Sequence, residues 1–250
     1  MNHPKSDIAF GTRAVMEALQ AGREIERILL QKGTQNELFR EIIVTARQQH
    51  VPVSSVPIEK LNRVTRKNHQ GVIAFLSSVV YASLDNVINE CYQRGQDPLL
   101  VIMDRVTDVR NFGAIARTAE CLGVHAMIIP DKGNARLGGD AMKASAGALN
   151  HIPVCREENL KRTIQYLKNN GIQVIACTEK ADTLLLQQDL LGPVALLFGS
   201  EEDGISEAYL KLADAAVKIP MTGAIASLNV SVAASISLYE VVRQRTNSLN

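Results

Sequence analysis

Five short and almost wholly apolar runs constrain this chain more than any other feature: Leu99–Met103, Ala126–Pro130, Gln173–Cys177, Val194–Phe198 and Ala216–Pro220. Each has the length of a strand and falls short of a helix. A strand with one wet face alternates polar and apolar residues. These do not, so both faces must be covered. Helical periodicity fills the intervals, with starts near Asn111, Asn159 and Ser206 and a last helix over Leu228–Arg245. Doubly covered strands separated by helices predict an α/β domain with a parallel sheet over residues 99–250. A chain of 250 residues, 46% of them hydrophobic, can bury such a core without disulfides.

A different pattern precedes it. Thr12–Gln20 reads as an amphipathic helix, with Ala14, Val15, Ala18 and Leu19 on one side and Gly22 ending it. Glu26–Gln31 reads as a strand, Glu37–Gln48 as a second helix, and Pro52–Val56 and Gly71–Ser77 as further strands. A small α/β domain is expected over residues 1–78, then a more polar linker over 79–98 with a helix from Leu84 to Tyr92. The net charge of +1 hides a split: residues 1–80 hold 11 Lys+Arg against 7 Asp+Glu, and the remainder 16 against 19. The excess points to a polyanion as partner of the first unit. Aromatic residues make up only 4% and Trp is absent, which disfavours extensive stacking on single-stranded bases.

The four cysteines form no C-x-x-C pair, so no metal site is expected. Cys121 and Cys177 lie in apolar settings and read as buried packing residues of a reducing compartment. The opening segment MNHPKSDIAFGTRAV lacks the apolar stretch of a signal peptide, and no run reaches the ~18 apolar residues of a membrane span. A cytoplasmic protein with no membrane partner is expected.

Ligands of such sheets bind at the carboxyl ends of the strands, so the loops there carry the function. G-x-G-x-x-G after a strand, G-x-x-x-x-G-K-[ST] and G-x-S-x-G are all missing, which removes support for ordinary dinucleotide binding, P-loop phosphoryl transfer and hydrolase chemistry. Three other stretches stand out. D-R-V-T-D-V-R-N-F-G-A-I-A-R-T-A-E (Asp104–Glu120) straddles a strand end and a helix start, where Asn111 can cap the helix and Gly113 permits close approach. L-L-F-G-S-E-E-D-G-I-S (Leu196–Ser206) runs from a strand into two glycines around an acidic pair. I-P-M-T-G-A-I-A-S-L-N-V-S-V-A-A-S-I (Ile219–Ile236) leads from a strand through a small-residue loop, with Ser227 as a candidate cap, into a helix rich in Ala, Ser and Val on nearly all sides, as expected if it is buried or packed against another subunit. Singly, each has a plain structural reading: Arg110 and Arg117 could solvate a helix face, and Glu201 and Asp203 could complement a helix dipole.

Together and in this order, N-F-G-A-I-A-R-T, L-F-G-S-E-E-D-G-I and I-P-M-T-G-A-I-A-S-L-N-V-S-V-A resemble the three motifs of the SpoU/TrmH-type RNA ribose 2′-O-methyltransferases, in the SPOUT superfamily. G-T-R-A-V-M-E-A-L (Gly11–Leu19) and H-Q-G-V (His69–Val72) resemble that family's RNA substrate-binding domain, so the likeness covers nearly the whole chain. Within the family the likeness is closest to bacterial 23S rRNA guanosine 2′-O-methyltransferases.

The resemblance implies a deep trefoil knot in the C-terminal domain, a homodimer whose active site borrows groups from the second subunit, and S-adenosylmethionine as cofactor. It assigns the cofactor to Thr178, Gly199, Ile219, Pro220, Ser227 and Leu228. It assigns the reacting centre to Arg117, with Asn111, Glu201 and Asn229. A guanidinium stays protonated in proteins, so Arg117 suits phosphate binding and stabilisation of a developing alkoxide better than the role of base. Arg13, Arg63, Arg66, Lys67 and His69 are the candidate contacts to structured RNA, His69 also reading as a turn residue. Lys143 and Ser145 suit support of the dimer or loop. The same chemistry on transfer RNA stays open, as does a catalytically silent RNA-binding assembly factor, although the intact Asn111, Arg117, Glu201 and Asn229 set speaks against the latter.

Overall fold

The computed structural model describes residues 8–34, 36–77 and 79–248. The chain divides into two compact units, one of residues up to Val80 with Arg136–Gly139, the other of Tyr81–Ala135 with Asp140 onward. Of the expected first domain, residues 1–7, Gln35 and Ser78 lie outside the described residues, and so does the start of the opening segment read for a leader. None of the described helices is long and apolar enough to cross a membrane.

In the first unit, β1 (Ile8–Phe10), α1 (Thr12–Gln20), β2 (Ile25–Gln31), α2 (Glu37–Gln48), β3 (Val53–Val56), α3 (Ile58–Val64) and β4 (Val72–Leu76) follow one another. The sheet order is β1-β4-β2-β3, with β4 antiparallel to both neighbours and β3 parallel to β2. Successive residues of a strand point to opposite faces. Thus Ile28, Leu30, Val72, Ala74 and Leu76 meet Val15 and Leu19 of α1 and Phe39 and Ile42 of α2. The alternate residues Leu29, Ile73 and Phe75 meet Leu61 of α3. Asn36 fixes the start of α2 by accepting from the Phe39 amide at 2.8 Å.

The second unit continues with α4 (Leu84–Gln93), β5 (Leu99–Met103), α5 (Val109–Cys121), β6 (Ala126–Pro130), α6 (Gly139–Ala144), β7 (Val154–Glu157), α7 (Leu160–Asn169), β8 (Gln173–Cys177), β9 (Thr183–Leu184), β10 (Val194–Phe198), α8 (Glu207–Leu210), β11 (Ala215–Lys218) and α9 (Val230–Asn247). The strand order is β7-β6-β5-β10-β8-β11-β9, and every pairing is parallel. Leu100, Ile102, Val174 and Leu197 pack with Leu84 and Ile88 of α4 and Leu160, Ile164 and Leu167 of α7. The residues between them, Val101, Met103, Leu196 and Phe198, are equally buried on the opposite face, where α9 runs along α5 and over β10. Burying such side chains stabilises by about 1.5–3 kcal/mol each, and double burial is why these strands read as unbroken apolar runs.

Residues 84–93 thus belong to the core of the second unit and do not hang as a free connector. Elements that carry one apolar face or none escape sequence reading: β1 and β7 are edge strands, β7 ends in Arg156 and Glu157, and α3 buries Leu61 alone. The ladder of β11 stops at Lys218, two residues before Pro220, which has no amide hydrogen to donate. The cap of α5 is Asp108, whose Oδ1 accepts from the Arg110 amide at 2.7 Å, and Asn111 lies inside the first turn. The cap of α9 is Asn229, not Ser227. Cys121 is exposed at the end of α5, contrary to its apolar neighbourhood in sequence.

Gly113 shows how closely this unit packs. A Cβ there would lie 2.4 Å from Ala144 Cβ and 2.8 Å from the Ser145 amide nitrogen. Gly113→Ala should therefore destabilise by about 1–3 kcal/mol despite alanine's higher helix propensity, read as a lower denaturant midpoint. An unchanged midpoint would show that this contact has slack.

Candidate active site

Because the sheet is parallel, the segments after β5, β8, β10 and β11 emerge at one edge. Those after β8, β10 and β11 surround a cleft of about 400 Å³, within the range of small-molecule sites. Thr178, Gly199, Ile219, Ser227 and Leu228 line it together with Glu201 and Asn229. Leu185, Phe198, Ile205 and Val217 give it an apolar wall. Pro220, expected among the cofactor residues, stands outside the lining and is exposed.

Gly199 is where strand becomes loop. A Cβ there would fall 2.0 Å from the Gly204 carbonyl carbon and 2.1 Å from the Ile205 amide nitrogen, so only glycine fits without moving backbone. The loop closes on itself through Ser200 N to Gly204 O at 3.1 Å, Gly204 N to Ser200 O at 3.0 Å, and Asp203 N to Ser200 Oγ at 3.1 Å.

Asn229 ties this loop to the other two motifs. Its Nδ2 donates to Glu201 Oε1 at 2.6 Å and to Asn111 Oδ1 at 3.1 Å. Its Oδ1 accepts from the Ser231 amide at 2.9 Å and the Ser231 hydroxyl at 2.6 Å, capping α9. Every hydrogen-bonding position of the amide is engaged. Asn229 therefore holds the other groups in place and has no free atom for a substrate. Three residues from three distant stretches meet at one amide.

Asp108 beside this cluster is held down to about 2 by the Arg110 guanidinium, which pairs with it at 2.8 Å. At the cleft floor, burial pushes the Cys177 thiol up to about 12, so it stays neutral and is no nucleophile. The Ser237 hydroxyl, in a residue 1% exposed, faces that thiol and opposes the rise slightly, and it has no nitrogen or oxygen partner among the described residues. Both residues were missed in the sequence, where they look like ordinary core positions of a strand and a helix.

Arg117 is not gathered with Asn111, Glu201 and Asn229. Six residues past Asn111, it points about 120° away around α5. It is exposed, stands outside the cleft lining and has no partner among the described residues.

In the first unit, Arg13, Arg63, Arg66 and Lys67 are all exposed. Gln70 Oε1 accepts from the Thr12 amide and hydroxyl, both at 3.1 Å, joining the segment of Arg66 and Lys67 to the start of α1, where Arg13 lies. Lys67 extends over the Phe10 ring at 5.6 Å, and Arg27, which sequence reasoning passed over, lies 4.7 Å from the Phe75 ring centre. His69 is placed differently from expectation. It is buried, its Nδ1 accepts from the Gly71 amide at 3.1 Å, and its Nε2 lies 2.9 Å from Asn62 Oδ1. Both ring nitrogens are occupied, which makes it a turn-fixing residue and not an RNA contact.

Comparison with known proteins follows the same division. A model of the SpoU rRNA methylase family matches residues 98–239, and one for RNA 2′-O ribose methyltransferase substrate binding matches residues 8–82. A Bacillus subtilis protein provisionally named as a TrmH family tRNA/rRNA methyltransferase is 35% identical over 239 residues, 96% of each chain. An uncharacterized tRNA/rRNA methyltransferase of Synechocystis sp. is 38% identical over 241 residues, 96% of this chain and 63% of that protein. The crystal structure of the SpoU methyltransferase AviRb from Streptomyces viridochromogenes in complex with the cofactor AdoMet matches with a TM-score of 0.61 at 27% identity, over 96% of this chain and 90% of that one.

The two duties of Asn229 can be separated. Asn229→Asp keeps an oxygen to cap α9 but sets a second carboxylate against Glu201 Oε1. Like charges that close raise a carboxylate pKa in the folded state, so the stability of the variant should be greatest at low pH and fall as pH rises. The melting temperature deficit against wild type should widen from pH 5 to pH 8. A deficit independent of pH would show that the Glu201 link contributes nothing.

Proposed function

Because the chain belongs to the SpoU rRNA methylase family and is an RNA methyltransferase, we propose that it moves the methyl group of S-adenosylmethionine to a ribose 2′-hydroxyl, that of a guanosine in 23S ribosomal RNA. The observation that carries this reading is the junction at the cleft mouth, where Asn229 holds Glu201 and Asn111.

The cleft suits the cofactor. Its apolar wall can cover an adenine, and Gly199 lets backbone approach a ligand closely. We assign Thr178, Gly199, Ile219, Ser227 and Leu228 to it. When bound, S-adenosylmethionine supplies a methyl group already activated on a sulfonium. The residues here must hold the ribose oxygen in line with that methyl and stabilise the oxygen as its proton leaves to a neighbouring phosphate or water. Glu201, fixed by Asn229, braces the loop. Arg117, without a partner among the described residues, is free to bind phosphate and steady the developing alkoxide.

We also propose that two copies pair through the loop before α9 and its outer face. Ile225 is 78% exposed and Tyr239 61%, with Val232 and Ile236 exposed between them, and apolar surface of this kind marks an interface. Pairing would complete the site on the side of Arg117. The C-terminal path supports a trefoil knot: β11 lies beyond β8, yet α9 returns to pack on α5 and β10, past the carboxyl ends of β8 and β10. In the first unit we assign RNA contact to Arg13, Arg63, Arg66 and Lys67, exposed side chains that can reach phosphates. Four free cysteines support a reducing cytoplasmic setting.

Incubating the protein with S-adenosylmethionine and unmodified 23S rRNA or tRNA, then mapping 2′-O-methyl positions, tests the reaction. One methylated guanosine in 23S rRNA is expected, and Arg117→Ala should slow it roughly 10²–10³-fold. Methylation confined to tRNA would move the substrate. No cofactor binding at all would make the protein a silent RNA-binding factor.

A further inference from the structure

The 200–204 loop is closed on itself by its own hydrogen bonds, but those fix only its shape. Its place beside the cleft is set from β5. Asp104, the first residue after that strand, is 2% exposed, and its amide extends the ladder to Phe198 O at 2.8 Å. Its Oδ2 accepts from the Ser206 amide at 2.7 Å and the Ser206 hydroxyl at 2.5 Å. Arg105 completes the clasp. Its Nε donates to Asp104 Oδ1 at 3.1 Å, its Nη1 to Asp203 Oδ2 at 2.9 Å, and its Nη2 to Gly204 O at 3.3 Å.

Arg105 makes these contacts from φ 61°, in the left-handed region that glycine adopts freely and other residues avoid. Strain of this kind persists only where surrounding contacts enforce it. An exposed ion pair alone does little. Here a planar five-donor fork bridges a buried carboxylate, an exposed carboxylate and a backbone carbonyl. The anchored loop carries Gly199, which lines the cleft, and Glu201, which pairs with Asn229.

We propose that Asp104 and Arg105 are positioning residues, a clasp that holds the 199–206 loop in the shape that S-adenosylmethionine binding requires. The inference rests on the cofactor assignment made above. Neither Asp104 nor Arg105 lines the cleft, so both act through Gly199 and Glu201.

Arg105→Gly removes the clasp but suits the left-handed backbone, so relief of strain offsets part of the lost contacts and the variant should still fold, with a modestly lower melting temperature. Hydrogen exchange of amides 200–206, measured without ligand, should accelerate about tenfold in this variant. Its KM for S-adenosylmethionine should rise about tenfold, with KM for RNA unchanged. Arg105→Lys keeps the charge without the fork and should fall between. Asp203→Ala cuts one arm of the clasp and should also speed exchange at 200–206; because Asp203 itself lines the cleft, its KM does not bear on positioning. Unchanged exchange at 200–206 in Arg105→Gly overturns the clasp itself. Faster exchange with an unaltered KM for the cofactor overturns its positioning role. Wild-type protein that takes up no S-adenosylmethionine overturns the cofactor assignment and the positioning role with it, while the exchange rates still decide the clasp.

Discussion

Strand β10 comes late in the chain yet lies between β5 and β8, with Leu196 paired to Val101 on one side and Ile175 on the other. All three strands run the same way, so their carboxyl ends share an edge, and the order of strands reverses there. Crevices at such switch points are where open parallel sheets hold ligands. Strand β11, on the far side of β8, adds the segment leading to α9. Without this insertion the 104–111, 199–206 and 219–229 segments would have no reason to meet.

What keeps them together is a small set of polar contacts on a rigid apolar base. The strands and the faces of α5, α7 and α9 are nearly dry, so the site's geometry is referred to a core that does not deform cheaply. On that base, Asp104 and Arg105 anchor the loop after β10, and Asn229 joins that loop to α5 and α9. The groups left unsatisfied are informative too. Ser237 at the cleft floor has no nitrogen or oxygen partner among the described residues, and Arg117 on the outer face of α5 has no partner among them. Of the two, Arg117 is exposed and can meet a group from outside the chain.

The second unit's strands were legible because double burial writes an unbroken apolar run, and Leu99–Met103, Ala126–Pro130, Gln173–Cys177 and Val194–Phe198 carry one each. Edge strands β1 and β7 have no such signature, since each pairs with a full strand on one side only. Helix starts were harder. Asp108 and Asn111 are both good caps three residues apart, and only the path out of β5 selects Asp108. Within the site, the motifs singled out Asn111, Glu201 and Asn229, but not that Asn229 would use its whole amide to hold the others. Nor does sequence give the direction of Arg117, which depends on where α5 begins. Arg105 was invisible for a different reason: a left-handed residue is flagged by glycine, and here arginine occupies that backbone. Asp104 had a usable signal, an acid directly after a doubly buried strand, where a charge must find several donors to remain.

The central claim is that the cleft beside the Asn111–Glu201–Asn229 junction receives the methyl donor. Crystals of the protein grown with S-adenosylmethionine address it directly. The account predicts the cofactor between Gly199 and Leu228, its methyl turned toward that junction. A cleft left empty at saturating cofactor, or a cofactor lodged elsewhere on the chain, would contradict it.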